Sequence, residues 1–300
     1  MAPATLSRLS FPNGRTGARA VRKGKRFGLN TLGVLVALLT LFPIFWMIST
    51  AFKPSQDIYS LTPRLLPTHP TLGNFSAVMS GRASGIGPVW LFFRNSLLVT
   101  VSTVVLASLV SLLASIAVAR FRFRFRASYL ILLLIVQMIP GQALIIALFL
   151  DFNRLNLLQS LPGLVLAYSA KALPVSIWML RNFVATVPRE LEEAAAVDGA
   201  GSLRIFWRIL FPLVAPGLIA TSIFSFITAY NEFIVALTFL GQAHASYTLP
   251  IYVTFFFSCG GAQWGPIMAA STLYTIPVVV FFLIVQRRMT AGLVAGAVKG

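Results

Sequence analysis

Residues 187–212 read VPRELEEAAAVDGAGSLRIFWRILFP. Pro188 suits the first position of a helix, where its missing N–H is not needed. Glu190, Glu192 and Glu193 follow where carboxylates favour the positive helix end. Ala194, Ala195 and Ala196 are strong helix formers with almost no side chain. Gly199 or Gly201 can end the helix in a left-handed turn, and Ser202 can cap a second helix that runs on past Pro212. The pattern predicts a short, acid-ended helix with a smooth alanine face. It holds four of the seven acids in the chain, Asp198 being the fourth. Such a helix either connects two elements through water or lets the backbone of another protein come close.

Its surroundings are apolar. Of the 300 residues 57% are hydrophobic and only 10% charged, against about 25% charged in a soluble domain. An ordinary soluble enzyme is excluded. The net charge of +17 does not point to nucleic acid, because the basic residues lie between apolar blocks and not on a polar body. One cysteine, Cys259, and two histidines, His69 and His244, offer neither a metal site nor a Cys/His nucleophile. No catalytic residue is expected.

A bilayer core needs about 20 apolar residues of helix. Uncharged runs of 26, 25, 24 and 23 residues cover 27–52, 95–119, 127–150 and 209–231. A 54-residue run over 233–286 is too long for one helix, and its Gly-, Ser- and Gln-containing middle, 241–265, is expected to be a loop. Another span covers 161–178 and is interrupted by Lys171. The fold class expected is an all-α membrane protein with six transmembrane helices near 29–51, 95–119, 128–150, 161–181, 213–238 and 266–286. The first is read as a retained span, since no small-x-small cleavage site precedes Lys53.

Lys and Arg set the orientation. One side holds 18 of them, in the N-terminal tail, the loops after spans two and four and the C-terminal end; the other holds five. Both termini and the 187–212 loop are therefore expected in the cytoplasm. The organisation expected is a basic tail (1–27), a first span with a Pro-rich outer segment (28–93) that includes a short helix near Asn74–Ser80, a five-helix core (94–287) and a C-terminal tail (288–300).

Polar groups inside a membrane usually face a cavity or a partner. Gln137 and Gln142 flank Pro140 in span three, Lys171 lies in span four, and Asn231 and Glu232 lie in span five. Either they line a hydrophilic path, or they bond helix to helix. The depths assigned to Lys171 and Glu232 differ by about 9 Å at 1.5 Å per residue, which argues against their pairing. If paired, they also fit the charged path of an ATP-independent carrier or channel, the alternative function.

The 193–212 stretch resembles the signature of the membrane subunits of ATP-binding-cassette (ABC) importers. Glu193-Ala194-Ala195 is followed at the family spacing by Gly199, Ile209 and Pro212, with Phe211 where leucine is usual. The resemblance continues through Leu72–Phe75, Asn95–Leu97, Ala117–Arg120, Ile139–Pro140, Asn231–Phe233 and the terminal Gly292–Gly300, with Tyr230 where tryptophan is usual. It is closest to the carbohydrate-uptake branch, whose subunits are similar to the smaller maltose-permease protein. The resemblance implies a type I ABC-importer permease architecture in a bacterial cell membrane. It implies pairing with a second homologous permease subunit and docking on an ATPase dimer through Glu193, Ala194, Ala195, Asp198, Gly199 and Pro212. It also implies sugar, expected to be a di- or oligosaccharide, delivered by an extracytoplasmic binding protein. ATP and magnesium would sit on the ATPase, in keeping with the absence of a phosphate-binding Gly-x-x-x-x-Gly-Lys-Ser/Thr loop here. Lipid surrounds the chain and nucleic acid is not a partner.

Overall fold

The computed structural model describes residues 15–258 and 261–297, with side chains described over 28–257 and 261–286. Residues 1–14, Cys259 and the side chains of the Gly292–Gly300 motif lie outside them. In hydrocarbon a backbone must satisfy its own N–H and C=O groups, so uncharged runs become helices. α1 is Arg15–Ala51, α2 Ser55–Ile58, α3 Gly73–Met79, α4 Val89–Arg120, α5 Arg126–Met138, α6 Ile145–Arg154 and α7 Leu161–Thr186. α8 is Glu190–Val197, α9 Ser202–Ile205, α10 Phe211–Tyr230, α11 Ile234–Leu240, α12 Leu249–Thr254 and α13 Trp264–Ala297. Among the described residues five helical stretches are long and apolar enough to cross a membrane: Gly28–Ala51, Val89–Arg120, Leu161–Thr186, Ser202–Tyr230 and Trp264–Gln286. A sixth crossing requires α5 and α6, which meet at a bend of 92°.

That bend corrects the continuous helix expected over 128–150. Pro140 has no N–H to give and disfavours helical geometry in the residue before it. Ile139 accordingly turns extended, at φ −76° and ψ 122°. The helix expected over 213–238 is broken too: α10 stops at Tyr230, and α11 restarts at Ile234 after Asn231-Glu232-Phe233. At the other extremes the helices overrun the expected spans, α1 starting at Arg15 and α13 reaching Ala297.

α4 and α7 pack along one another and α10 packs against both, while α1 lies on α13 and α5 on α7. Small side chains make the close approach possible, as usual between helices in a membrane. α4 buries Ser96, Thr100, Thr103, Ala107, Ser111 and Ser115. The Ser176 and Ser225 hydroxyls join α7 to α10 at 3.3 Å, and those of Ser108 and Ser222 join α4 to α10 at 3.0 Å.

Among the described residues the bundle has two cores. At the end carrying α3 and α12, Phe92, Leu164, Tyr168, Phe239, Leu249, Tyr252 and Phe256 pack together. At the end carrying α8, Leu112, Ala119, Leu180, Val184, Val187, Leu210 and Val214 do so.

The segment 241–265, expected as a loop, is more ordered than that. It holds the buried α12 and a two-strand antiparallel hairpin, β1 Phe257–Ser258 against β2 Gly261–Ala262. Asn95 anchors it, donating from Nδ2 to the carbonyls of Ala245 (2.8 Å) and Tyr247 (3.0 Å), and the Leu249 amide donates to Ser96 Oγ at 2.7 Å. Asn74, at the start of the expected short helix, donates to the carbonyls of Ala51 and Lys53. Asp57 Oδ2 accepts from the hydroxyl and amide of Thr68, bonds that hold the carboxyl below its usual pKa.

Gly217 of α10 lies against Phe183 of α7, and a Cβ there would sit 2.3 Å from the ring. Gly217→Val is expected to wedge α7 from α10 and to cost about 1–3 kcal/mol, as overpacking does. A thermal melt of the detergent-solubilised protein should show a lower Tm than wild type; an unchanged Tm would mean that the two helices are free to separate here.

Candidate functional site

α8 forms as its composition demands, but two details differ from expectation. The helix starts at Glu190, so Pro188 lies before it and not at its first position. Ser202 is the first residue of α9 rather than its cap, and Gly201, extended at φ −69° and ψ 159°, takes the cap position. The left-handed turn falls at Gly199, with φ +80°, where the absence of a Cβ is useful. The turn reverses the chain into α9, a π-helical turn over Phe206–Leu210 and α10.

Glu193, Ala194, Asp198, Gly199 and Pro212 are exposed and Ala195 is half-buried. Pro212 stands apart, as the second residue of α10. Sequence reasoning missed the apolar residues of this arm: Leu191 is 45% exposed, Leu203 76% and Val197 89%. Their signal was available, since a water-facing connector has little reason to carry them. It missed the mounting of the arm as well. Arg120, the last residue of α4, pairs with Glu192 at 2.6 Å and donates to the Val187 carbonyl at 2.9 Å. Arg189 donates to the carbonyls of Arg120 (2.9 Å) and Ala119 (3.3 Å).

A second polar centre lies in the bundle, where the two broken helices face α7. A cavity of about 500 Å³ is lined by Gln137, Gln142, Lys171 and Glu232, with Tyr168 and apolar side chains of α5, α6 and α11. Gln137 Nε2 donates to the Lys171 carbonyl at 3.3 Å. The Lys171 ammonium donates to Glu232 Oε2, and Glu232 Oε1 accepts from the Val235 amide at 3.2 Å, which ties the first turn of α11.

This ion pair corrects the expectation that the two charges lie too far apart in depth. Lys171 is ten residues from the start of α7, and Glu232 is eight from the end of α11 at the same end of the bundle. At 1.5 Å per residue that difference is within the reach of a lysine. Asn231 is not part of the cavity. Its Oδ1 accepts from Tyr274 and its Nδ2 bonds back to Ile227. The rings of Tyr230 and Tyr274 stack there; the Tyr230 hydroxyl donates to the Tyr274 carbonyl at 2.9 Å, and the Tyr274 hydroxyl shares its one proton between Asn231 Oδ1 and the Tyr230 carbonyl, fixing the end of α10 to α13. Tyr168, which sequence reasoning passed over, lines the cavity one helical turn from Lys171; its hydroxyl is buried and has no hydrogen-bond partner among the described residues.

The arrangement is a membrane bundle with a polar cavity at its helix breaks and an exposed arm at one end, in keeping with a membrane permease subunit. Residues 110–294 match the family described as binding-protein-dependent transport system inner membrane component, and the chain belongs to it. It is 41% identical over 271 residues to the diacetylchitobiose uptake system permease protein DasC of Streptomyces coelicolor, a match covering 90% of this chain and 96% of that one. It is 35% identical to the trehalose/maltose transport system permease protein MalG of Thermococcus litoralis, covering 92% and 98%. It is 34% identical to the trehalose transport system permease protein SugB of Mycobacterium tuberculosis, covering 90% and 96%. The fold matches a chain in the crystal structure of a bacterial ABC transporter that imports the acidic polysaccharide alginate, at TM-score 0.73 and 20% identity over 93% of this chain and 99% of that one.

The resemblance to the carbohydrate-uptake branch of ABC-importer permeases therefore holds. The chain is a multi-pass membrane transport component of a non-catalytic family, and an ATP-independent carrier is not favoured.

The Lys171–Glu232 pair can be tested by stability. Glu232 is 9% exposed at its side chain and Lys171 49%. Lys171→Met leaves a largely buried carboxylate unpaired, with an expected loss of about 1–3 kcal/mol after allowance for solvent at the lysine. Adding Glu232→Gln keeps an acceptor for the Val235 amide and removes the stranded charge, so the double variant should melt above Lys171→Met alone. A double variant that melts lower would show that the two side chains act independently.

Proposed function

We propose that this chain passes a di- or oligosaccharide through the membrane as one of two homologous permease subunits of an ABC importer, driven by an ATPase dimer that receives α8. The observation that carries this reading is the exposed arm: an alanine-faced helix, apolar Leu191, Val197 and Leu203 beside it, and a glycine turn at Gly199 with open space for 4 Å around the place a Cβ would take. A groove on another protein can close over such a surface with little steric obstruction. Glu193, Ala194, Ala195, Asp198 and Gly199 form its face, and Pro212 starts the helix that leads from it into the bundle.

The cargo reading rests on chemistry and on kinship. Sugar hydroxyls need hydrogen-bonding side chains, and Gln137, Gln142, Lys171 and Glu232 supply them around a cavity of about 500 Å³, a size usual for small-molecule sites. Relatives named for diacetylchitobiose, trehalose and maltose uptake favour a di- or oligosaccharide. Asn231 acts beside this path by tying the end of α10 to Tyr274. The basic ends and α8 face the cytoplasm of a bacterial cell, the segment 241–265 faces outward towards a sugar-binding protein, and lipid covers the apolar helix faces. This chain needs no cofactor of its own, ATP and magnesium being bound and used on the ATPase.

The reading is tested at Gly199. Gly199→Ala adds only backbone strain of about 1 kcal/mol at positive φ. Gly199→Asp also places a second carboxylate beside Asp198 in the docked surface. An unpaired charge buried at an interface costs about 3 kcal/mol or more, equivalent to roughly a hundredfold weaker docking. In proteoliposomes carrying the assembled transporter, uptake of radiolabelled trehalose or chitobiose and binding-protein-stimulated ATP hydrolysis should collapse in the Asp variant and fall mildly in the Ala variant. Near-normal values for Gly199→Asp would make the arm a solvated connector.

A further inference from the structure

The backbone of α8 joins α7 through Val187–Arg189 and α10 through the turn at Gly199. α4 is distant in sequence, yet three side chains bind it to the same arm. The Arg120 guanidinium, 10% exposed, pairs with Glu192, 23% exposed, and also donates to the Val187 carbonyl. Arg189 reaches back to the carbonyls of Ala119 and Arg120, the C-terminal end of α4. Carbonyls in the last turn of a helix have no partner within it, and a cation there also suits the negative helix end. The link closes in both directions: α4 sends a cation to an acid in the first turn of α8, and the residue preceding α8 sends a cation to the carbonyls that end α4. Beneath it Leu112, Ala119, Val187 and Leu210 are packed, so the Arg120–Glu192 pair rests on an apolar floor while Arg189 stays exposed at its edge.

We propose that Arg120, Arg189 and Glu192 are positioning residues that latch the ATPase-docking arm to α4, so that movement imposed on α8 is delivered to α4 and through its long contact with α7 to the Lys171 cavity. The proposal rests on the reading of α8 as the ATPase-docking helix. Without the latch the arm keeps its two backbone connections and its exposed face. ATPase binding is then retained, and what is lost is the response of the cavity.

The test uses the transporter purified through a tag on this chain, in a Cys259→Ala background with Gln142→Cys as a maleimide target at the cavity. The readouts are the amount of co-purified ATPase, its ATP hydrolysis, and the change in labelling rate when ATP and vanadate are added. Arg120→Ala and the isosteric Glu192→Gln should each reduce the ATP-dependent change about tenfold, equivalent to about 1.4 kcal/mol, while leaving ATPase association and hydrolysis near wild type. The double variant should be no worse than either single, because residues in one interaction do not add. The charge swap Arg120→Glu with Glu192→Arg should recover part of the response. A full ATP response in both single variants, or additive losses in the double, overturns the latch. So does loss of the ATPase from these variants, which would make the three residues part of the docking surface itself. Failure of the docking reading looks different: the wild-type chain then carries no ATPase.

Discussion

A backbone in hydrocarbon has no water to bond, and the rest of this structure follows from that constraint. It makes helices of the apolar runs, and it also dictates where they can break. α5 ends just before Pro140 and α10 ends just before Asn231-Glu232-Phe233, and both α5 and α10 lie against α7. The polar side chains there are tied into the bundle, and one of them, Glu232, satisfies an amide that a break leaves open. Glu232 accepts from an amide of α11, Gln137 donates to a carbonyl of α7 in the turn before Pro174, and Asn231 takes the Tyr274 hydroxyl. A cavity with hydrogen-bonding walls is the result, and the Lys171–Glu232 ion pair leaves it with a balanced pair of charges in place of a stranded one.

The same constraint supplies the packed bundle through which the proposed latch would act. Hydroxyl and glycine contacts bring α4, α7 and α10 close, the small-residue packing usual between membrane helices. An arm fixed to three of them has leverage on all. The arm itself obeys other rules: acids at its positive end, alanines along its length and a glycine at its left-handed exit, all suited to a surface that another protein covers.

Much of this was legible in the residues, because hydrophobic runs and local helix chemistry need no knowledge of tertiary structure. The α8 helix, a glycine turn at Gly199 or Gly201, the short helix after residue 72 and the number of apolar runs could all be read directly. Helix breaks were harder. Pro140 was visible between two glutamines, and Glu232 interrupted an uncharged run, yet both were absorbed into continuous spans. That error made Lys171 and Glu232 look too distant to pair. Asn95 and Ser96 looked like span residues, whereas they hold the ordered 241–265 segment. The contacts of Arg120 and Arg189 are invisible in the sequence, since their partners are backbone carbonyls and an acid about 70 positions away, which no local pattern reveals.

Coupling of this chain to ATP requires that α8 be covered by an ATPase when the transporter assembles. Val197 is 89% exposed in the chain by itself, so a Val197→Cys variant in the Cys259→Ala background provides a direct probe. The measurement is the maleimide labelling rate of that cysteine in the assembled transporter and again after the ATPase has been stripped away. Strong protection in the assembly, lost on stripping and accompanied by cross-linking of the cysteine to the ATPase subunit, is the expected result. Equal labelling in both states, with no cross-link, would contradict the docking role of α8.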